Sequence, residues 1–248
     1  MKNIASIRYL LKLIVGAASI SVFSVYAGMT VYPMETVVGE TGSAQIRVMS
    51  QDDQVQFIRI TVKKIIEPGT KNEKEIPAGV ADQSALVVTP QKLALTSGGE
   101  RIVRLVSLFP PAKEATWRVY FESVPEEVFD GQSQTNAPVH SSADVGVSVV
   151  WGALIHVAPV NPWVSLKYKP ASDIIINEGT VRVPIKEIAT CTSGNNCVWK
   201  TLKTTIYPGT EVHLPKMILT AGKTYRIKYF DWIKNSNQEI ELPATQVK

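Results

Sequence analysis

Trp117-Arg118-Val119-Tyr120-Phe121-Glu122 sets three large apolar side chains in strict alternation with Arg, Tyr and Glu. A period of two puts Trp117, Val119 and Phe121 on one face of an extended strand, and no helix can bury that pattern. The same period recurs upstream. Ala44, Ile46 and Val48 alternate with Gln45, Arg47 and Met49, and Ile58, Ile60 and Val62 with Arg59, Thr61 and Lys63. Turn residues separate the segments. Pro68-Gly69 breaks one strand, Leu86-Val87-Val88 stops at Pro90, and Ser97-Gly98-Gly99 turns the chain into Ile102–Val106. Short strands at this spacing predict a nearly all-β protein, a sandwich or a barrel, with no helix in the mature chain.

The second half repeats the pattern in shorter segments: Val164–Tyr168, Ile174–Ile176, Val181–Ile188, Lys203–Tyr207, Tyr225–Phe230 and Glu239–Leu242. Between the halves lies Ala158-Pro159-Val160-Asn161-Pro162, whose two prolines make a stiff, non-helical junction. Residues 28–159 and 160–248 are therefore expected to form two domains, held at a fairly fixed angle. The polar stretch Glu126–Ser142 reads as a long functional loop.

Residues 1–27 have the order of a secretory signal peptide. Lys2, Arg8 and Lys12 precede the mostly apolar run Leu10–Val25, and Val25-Tyr26-Ala27 offers small residues at the cleavage positions. A retained anchor is the competing reading. The run is short for a bilayer and broken by Lys12, Gly16, Ser19, Ser21 and Ser24, so no membrane insertion is expected. The chain holds 26 Lys and Arg against 22 Asp and Glu, a net charge of +4; the leader takes three of the bases and no acid, leaving +1. Such a balance shows no basic stripe for nucleic acid.

Cys191 and Cys197, the only cysteines, bracket Thr-Ser-Gly-Asn-Asn, a turn composition. In an oxidising compartment they are expected to form one disulfide clamping a hairpin. Zinc would need two more ligands, and no His lies close in sequence. His140, His156 and His213 are scattered, and no nucleophile elbow, zinc-protease helix or phosphate loop is present. The expectation is a binding protein: not an enzyme, with no cofactor and no metal.

The informative segment is Asp144–Val157, the longest candidate strand. Val145, Val147 and Val149 alternate with Gly146, Ser148 and Val150, and Trp151-Gly152-Ala153-Leu154-Ile155 continues it. Its valines either fill the home core, as in any sandwich strand, or project at a sheet edge toward another protein.

At this strand the sequence resembles the periplasmic chaperones of the chaperone–usher pilus pathway, in the alternate branch serving class 5, colonisation-factor-type fimbriae. The resemblance is carried by Val31-Tyr32-Pro33, Ile46-Arg47-Val48, Thr61 to Thr70 (TVKKIIEPGT), Leu86 to Lys92 (LVVTPQK), Arg118 to Glu122 and Ala153-Leu154-Ile155. In the second half, Gly179-x-Val181-Arg182 and the Cys191–Cys197 pair fit as well. It implies two immunoglobulin-like sandwich domains in the periplasm. It also implies donor-strand complementation, in which Val145, Val147 and Val149 fill the groove of an incomplete fimbrial subunit that an outer-membrane usher later receives. Free chaperone would also have an exposed strand through which to self-associate.

One departure from the family stands out. P-pilus and type 1 chaperones anchor the subunit's terminal carboxylate with an arginine and a lysine, at positions that here read Met34 and Leu154. Arg47 and His156 are the candidate replacements, each with the alternative of being an ordinary exposed polar residue; Arg104 and Arg118 rank below them. Two rival functions are a fimbrial subunit or adhesin, which should carry its own N-terminal donor extension, and a glycan-binding sandwich, for which Trp199, Trp232 and Tyr229 are the suggestive aromatics.

Overall fold

A computed structural model describes residues 28–79, 86–131, 149–169, 172–192, 196–213 and 224–242. Among the described residues the chain is all-β apart from one helical turn, and it builds two immunoglobulin-like sandwiches. In the first, one sheet runs in the order β1 (Met29–Tyr32), β3 (Ser43–Ser50), β8 (Glu100–Ser107), β6 (Leu86–Thr89). The other runs β2 (Glu35–Val38), β10 (Val150–Val157), β9 (Ala115–Val124), β4 (Gln56–Ile66), β5 (Lys74–Pro77), with β7 (Lys92–Leu95) also pairing to β4. The second sandwich pairs β11 (Leu166–Lys169), β12 (Ile174–Asn177) and β15 (Glu211–His213). Facing them is the sheet β14 (Asn196–Ile206), β13 (Val183–Thr192), β16 (Thr224–Asp231), β17 (Ser236–Leu242).

The alternation read from the sequence is the alternation of burial. Trp117, Val119 and Phe121 on β9 are 0 % exposed and pack with Ile46 and Val48 of the facing sheet. A separate cluster around Tyr168, Ile188 and Ile227 forms the second core. Cys191 and Cys197 lie opposite one another on β13 and β14 and are disulfide-bonded, clamping the hairpin as expected.

The proline junction is fastened from both sides. Ala158 N–H donates to the Val38 carbonyl at 2.9 Å and Val160 N–H to that of Pro111 at 3.1 Å. Thr180 Oγ1 donates to the Asn161 carbonyl and accepts from Trp163 N–H. Gly179 is required here, because a Cβ would stand 2.6 Å from the Trp163 carbonyl oxygen and 2.7 Å from Ser165 N.

One expectation needs correction. Glu126–Phe129 forms a helical turn, α1, where none was predicted; Pro125 at its start and two acids in its first turn are a helix-start signal. Phe129 secures it, with its ring 5.0 Å from that of Phe57 and its carbonyl bonded to Lys92 Nζ. Ile65 breaks the β4 alternation, being buried on the face that otherwise carries Lys63. It aligns with Thr116 and His156 in a row of the sheet where the second domain docks.

Candidate functional site

β10 is an inner strand for only half its length. β9 pairs with all of it, from Val150 to Val157, but β2 pairs only with Leu154–Val157. Among the described residues, no strand pairs with the second side of Val150–Ala153. Side chains follow the same division. Ala153, Ile155 and Val157 point into the home core at 0 %, 0 % and 1 % exposure, whereas Val149, on the same face, is 44 % exposed. The apolar face that fills the first sandwich thus continues past its end into solvent. Val145 and Val147 lie outside the described residues.

Met34 and Leu154 are neighbours: Leu154 N–H donates to the Met34 carbonyl at 2.8 Å. Neither carries a charge. In the same row of the sheet, Leu154 aligns with Arg118 on β9, and Arg118 with Lys63 on β4. Arg118 Nη1 lies 3.1 Å from Glu75 Oε1 on β5, Lys63 Nζ 3.4 Å from Glu75 Oε2, and Arg118 Nη2 3.8 Å from Glu73 Oε1. Tyr120 Oη is 2.7 Å from both Glu75 oxygens. Desolvation pushes the Tyr120 phenol up, and the hydrogen bond to Glu75 adds to it. Gly152 leaves room for this arrangement, since a Cβ there would come within 3.2 Å of the Tyr120 ring.

His156 is not an exposed polar residue. It is 0 % exposed, because the second domain covers its face of the sheet. Its Nε2 is 3.2 Å from Glu35 Oε1 and its Nδ1 3.4 Å from Glu114 Oε1, while the Tyr207 ring of the second domain stacks at 6.2 Å. Arg182, also from the second domain, closes the cluster at 3.0 Å from Glu114 and 3.3 Å from Glu35, with its guanidinium over Trp232. His156 holds the Glu35 carboxyl below the usual carboxylate range against the opposing cost of burial, and Arg182 adds to the effect. Burial pushes the Tyr207 phenol up. Both His156 nitrogens therefore face the chain's own acids.

Arg47 lies on β3, in the opposite sheet, with its guanidinium 5.5 Å over the Tyr32 ring. Trp199, Trp232 and Tyr229 do not gather into one aromatic platform. Tyr229 is buried in the second core, Trp232 lies under Arg182, and Trp199 lies under Lys228. Among the described residues, no helix is long and apolar enough to cross a membrane, and no group of acids, His or Cys is placed to hold a metal.

A fold of two immunoglobulin-like domains is that of the pilus chaperones. The chain belongs to the chaperones of the chaperone–usher pathway, in the branch that serves class 5 fimbriae. The crystal structure of the class 5 fimbriae chaperone CfaA is similar at a TM-score of 0.69 and 30% identity, over 88% of this chain and 100% of that one. A chain from a chaperone–tip adhesin complex of CFA/I fimbriae biogenesis matches equally, with TM-score 0.69 and 30% identity over the same 88% and 100%. A relative from Escherichia coli, named as a fimbrial subunit of the CS1 type, is 36% identical over 194 residues, which is 75% of this chain and 80% of its own length. No family model matches the chain.

Proposed function

We propose that this chain is a periplasmic chaperone that binds fimbrial subunits by lending them the strand running through Val145, Val147 and Val149, and delivers them to an outer-membrane usher. The observation that carries this reading is the side of Val150–Ala153 along which no described strand pairs, together with the emergence of Val149 from the home core. An added strand gains main-chain hydrogen bonds along that side, while alternate valines enter the partner's groove. Burying each valine contributes about 1.5 kcal/mol, enough for three to hold a subunit without making exchange impossible. The chaperone–tip adhesin complex among the similar structures supports subunits as the partner class.

Domain limits of 28–159 and 160–248 fit this division of labour, with the donor strand at the end of the first domain. For the terminal carboxylate of the subunit, we place the anchor at Arg118 and Lys63, which adjoin Leu154 in the sheet. His156 is enclosed, and Arg47 lies on the other sheet of the sandwich.

Replacing Val147 with Asp tests the donor role. Subunit recovered from the periplasm should disappear while the variant itself stays folded; an unchanged yield would count against it. A fimbrial-subunit reading is favoured by the name of the Escherichia coli relative. It requires the purified protein to polymerise alone, which the chaperone reading does not.

A further inference from the structure

Glu75, its side chain 21 % exposed, makes an unusual set of contacts for an acid on an edge strand. One carboxylate receives the Tyr120 hydroxyl at 2.7 Å from each oxygen, a guanidinium nitrogen of Arg118 at 3.1 Å and the Lys63 ammonium at 3.4 Å. Three donors from two strands converge on a single carboxylate, which is what a site for a carboxylate ligand needs. The acid occupying it belongs to β5, a four-residue edge strand, so its side chain can leave by rotation without dismantling the sheet. The donors are fixed more firmly. Arg118 and Tyr120 alternate with the fully buried Trp117, Val119 and Phe121 on the central strand β9.

The hairpin that delivers Glu75 is itself secured. Glu73 Oε2 accepts the Gly69 N–H at 2.7 Å, and Gly69 (φ 73°) approaches Tyr207 so closely that a Cβ would lie 2.9 Å from the ring. The second domain thereby keeps the β4–β5 turn, and with it Glu75, beside the cations.

We propose that Glu75 is an internal stand-in for the carboxylate that Lys63, Arg118 and Tyr120 are built to receive, and that an incoming C-terminal carboxylate must displace it. This rests on the reading of the chain as a subunit chaperone. Its consequence is a threshold: the site stays neutralised in the free protein and is yielded only to a carboxylate that the donor strand already holds nearby. An internal competitor lowers apparent affinity by the fraction of time that the site is open. If Glu75 holds the site about nine-tenths of the time, removing its charge strengthens carboxylate binding about tenfold.

The test uses the full mature chain and acetate as the probe, so that no subunit is involved. Acetate is titrated into the wild type, Glu75→Gln and the double variant Glu75→Gln/Arg118→Gln, following the NMR signals of the Arg118 side chain and of Tyr120. The expected result is acetate binding at Tyr120 and Arg118 in Glu75→Gln, about tenfold tighter than in the wild type and lost in the double variant. Equal binding by the wild type and Glu75→Gln, or a gain that survives loss of Arg118, would overturn the proposal. So would a Glu75→Gln chain that is merely less stable and binds no acetate. Failure here leaves the Val147→Asp result untouched, and failure of that experiment leaves this one standing as a statement about Glu75 alone.

Discussion

The backbone N–H of Leu154 donates to the carbonyl of Met34 at 2.8 Å, so two apolar residues meet where the resemblance to P-pilus and type 1 chaperones implies cations. The parallel pairing of β2 with β10 brings them together, and it continues to Val157. Arg118, aligned with Leu154 on the other side of β10, places a charge in the same row from a different strand.

Arg118→Met should therefore reduce subunit recovery by tenfold or more, since a hydrogen bond to a charged group is worth about 1.5–3 kcal/mol. The chaperone's own unfolding midpoint should barely move, because the Arg118 pairs with Glu73 and Glu75 are partly exposed. Co-purification yield measured beside thermal unfolding separates the two effects.

Glu114 and Arg182 behave differently. Their side chains are 0 % and 6 % exposed and meet across the domain boundary at 3.0 Å. Removing one partner leaves the other charge buried, which costs about 3–5 kcal/mol. Arg182→Met should lower stability by that order in chemical denaturation of the whole mature chain, and Glu114→Gln should do the same.

Glu35 gives this boundary a pH dependence. Its carboxyl is held below the usual value of 4.5 by His156 and Arg182. A depressed carboxylate contributes stability that is present above its unfolded value and is lost as pH falls through the folded one. Denaturation midpoints taken downward from neutral pH should begin to fall below about 4.5, and Glu35→Gln should flatten that limb. A variant whose acid limb matches the wild type would remove Glu35 from the account.

Reduction of Cys191–Cys197 opens a loop with a sequence separation of 6. Loop-closure entropy for so short a loop puts the loss at about 2 kcal/mol. Denaturation of the mature chain with and without reductant reads it directly.

Strand alternation, turns and the disulfide were legible in the sequence because each depends on residues close along the chain. Trp117 to Glu122 needed no partner to declare its buried face. The boundary network was not legible, since Glu35, Glu114, His156 and Arg182 are spread over almost 150 positions and meet only when the second domain docks. His156 lies on what looks like the solvent face of its strand, and the docked domain turns that face into interior. Ile65, apolar on a face otherwise carrying Lys63, was the one local signal that this face is covered. Gly179-x-Val181-Arg182 was visible as a motif. Its reasons are tertiary: Gly179 clears the Trp163 carbonyl, Val181 is buried, and Arg182 meets two acids from the first domain.

Strand donation itself is best tested by amide hydrogen exchange over residues 145–153, in the free mature chain and in its complex with a co-expressed fimbrial subunit. Addition of this strand to a foreign sheet should slow exchange there by orders of magnitude, with little change on β13 and β16 of the second domain. Exchange over 145–153 that is the same in both states would contradict the account.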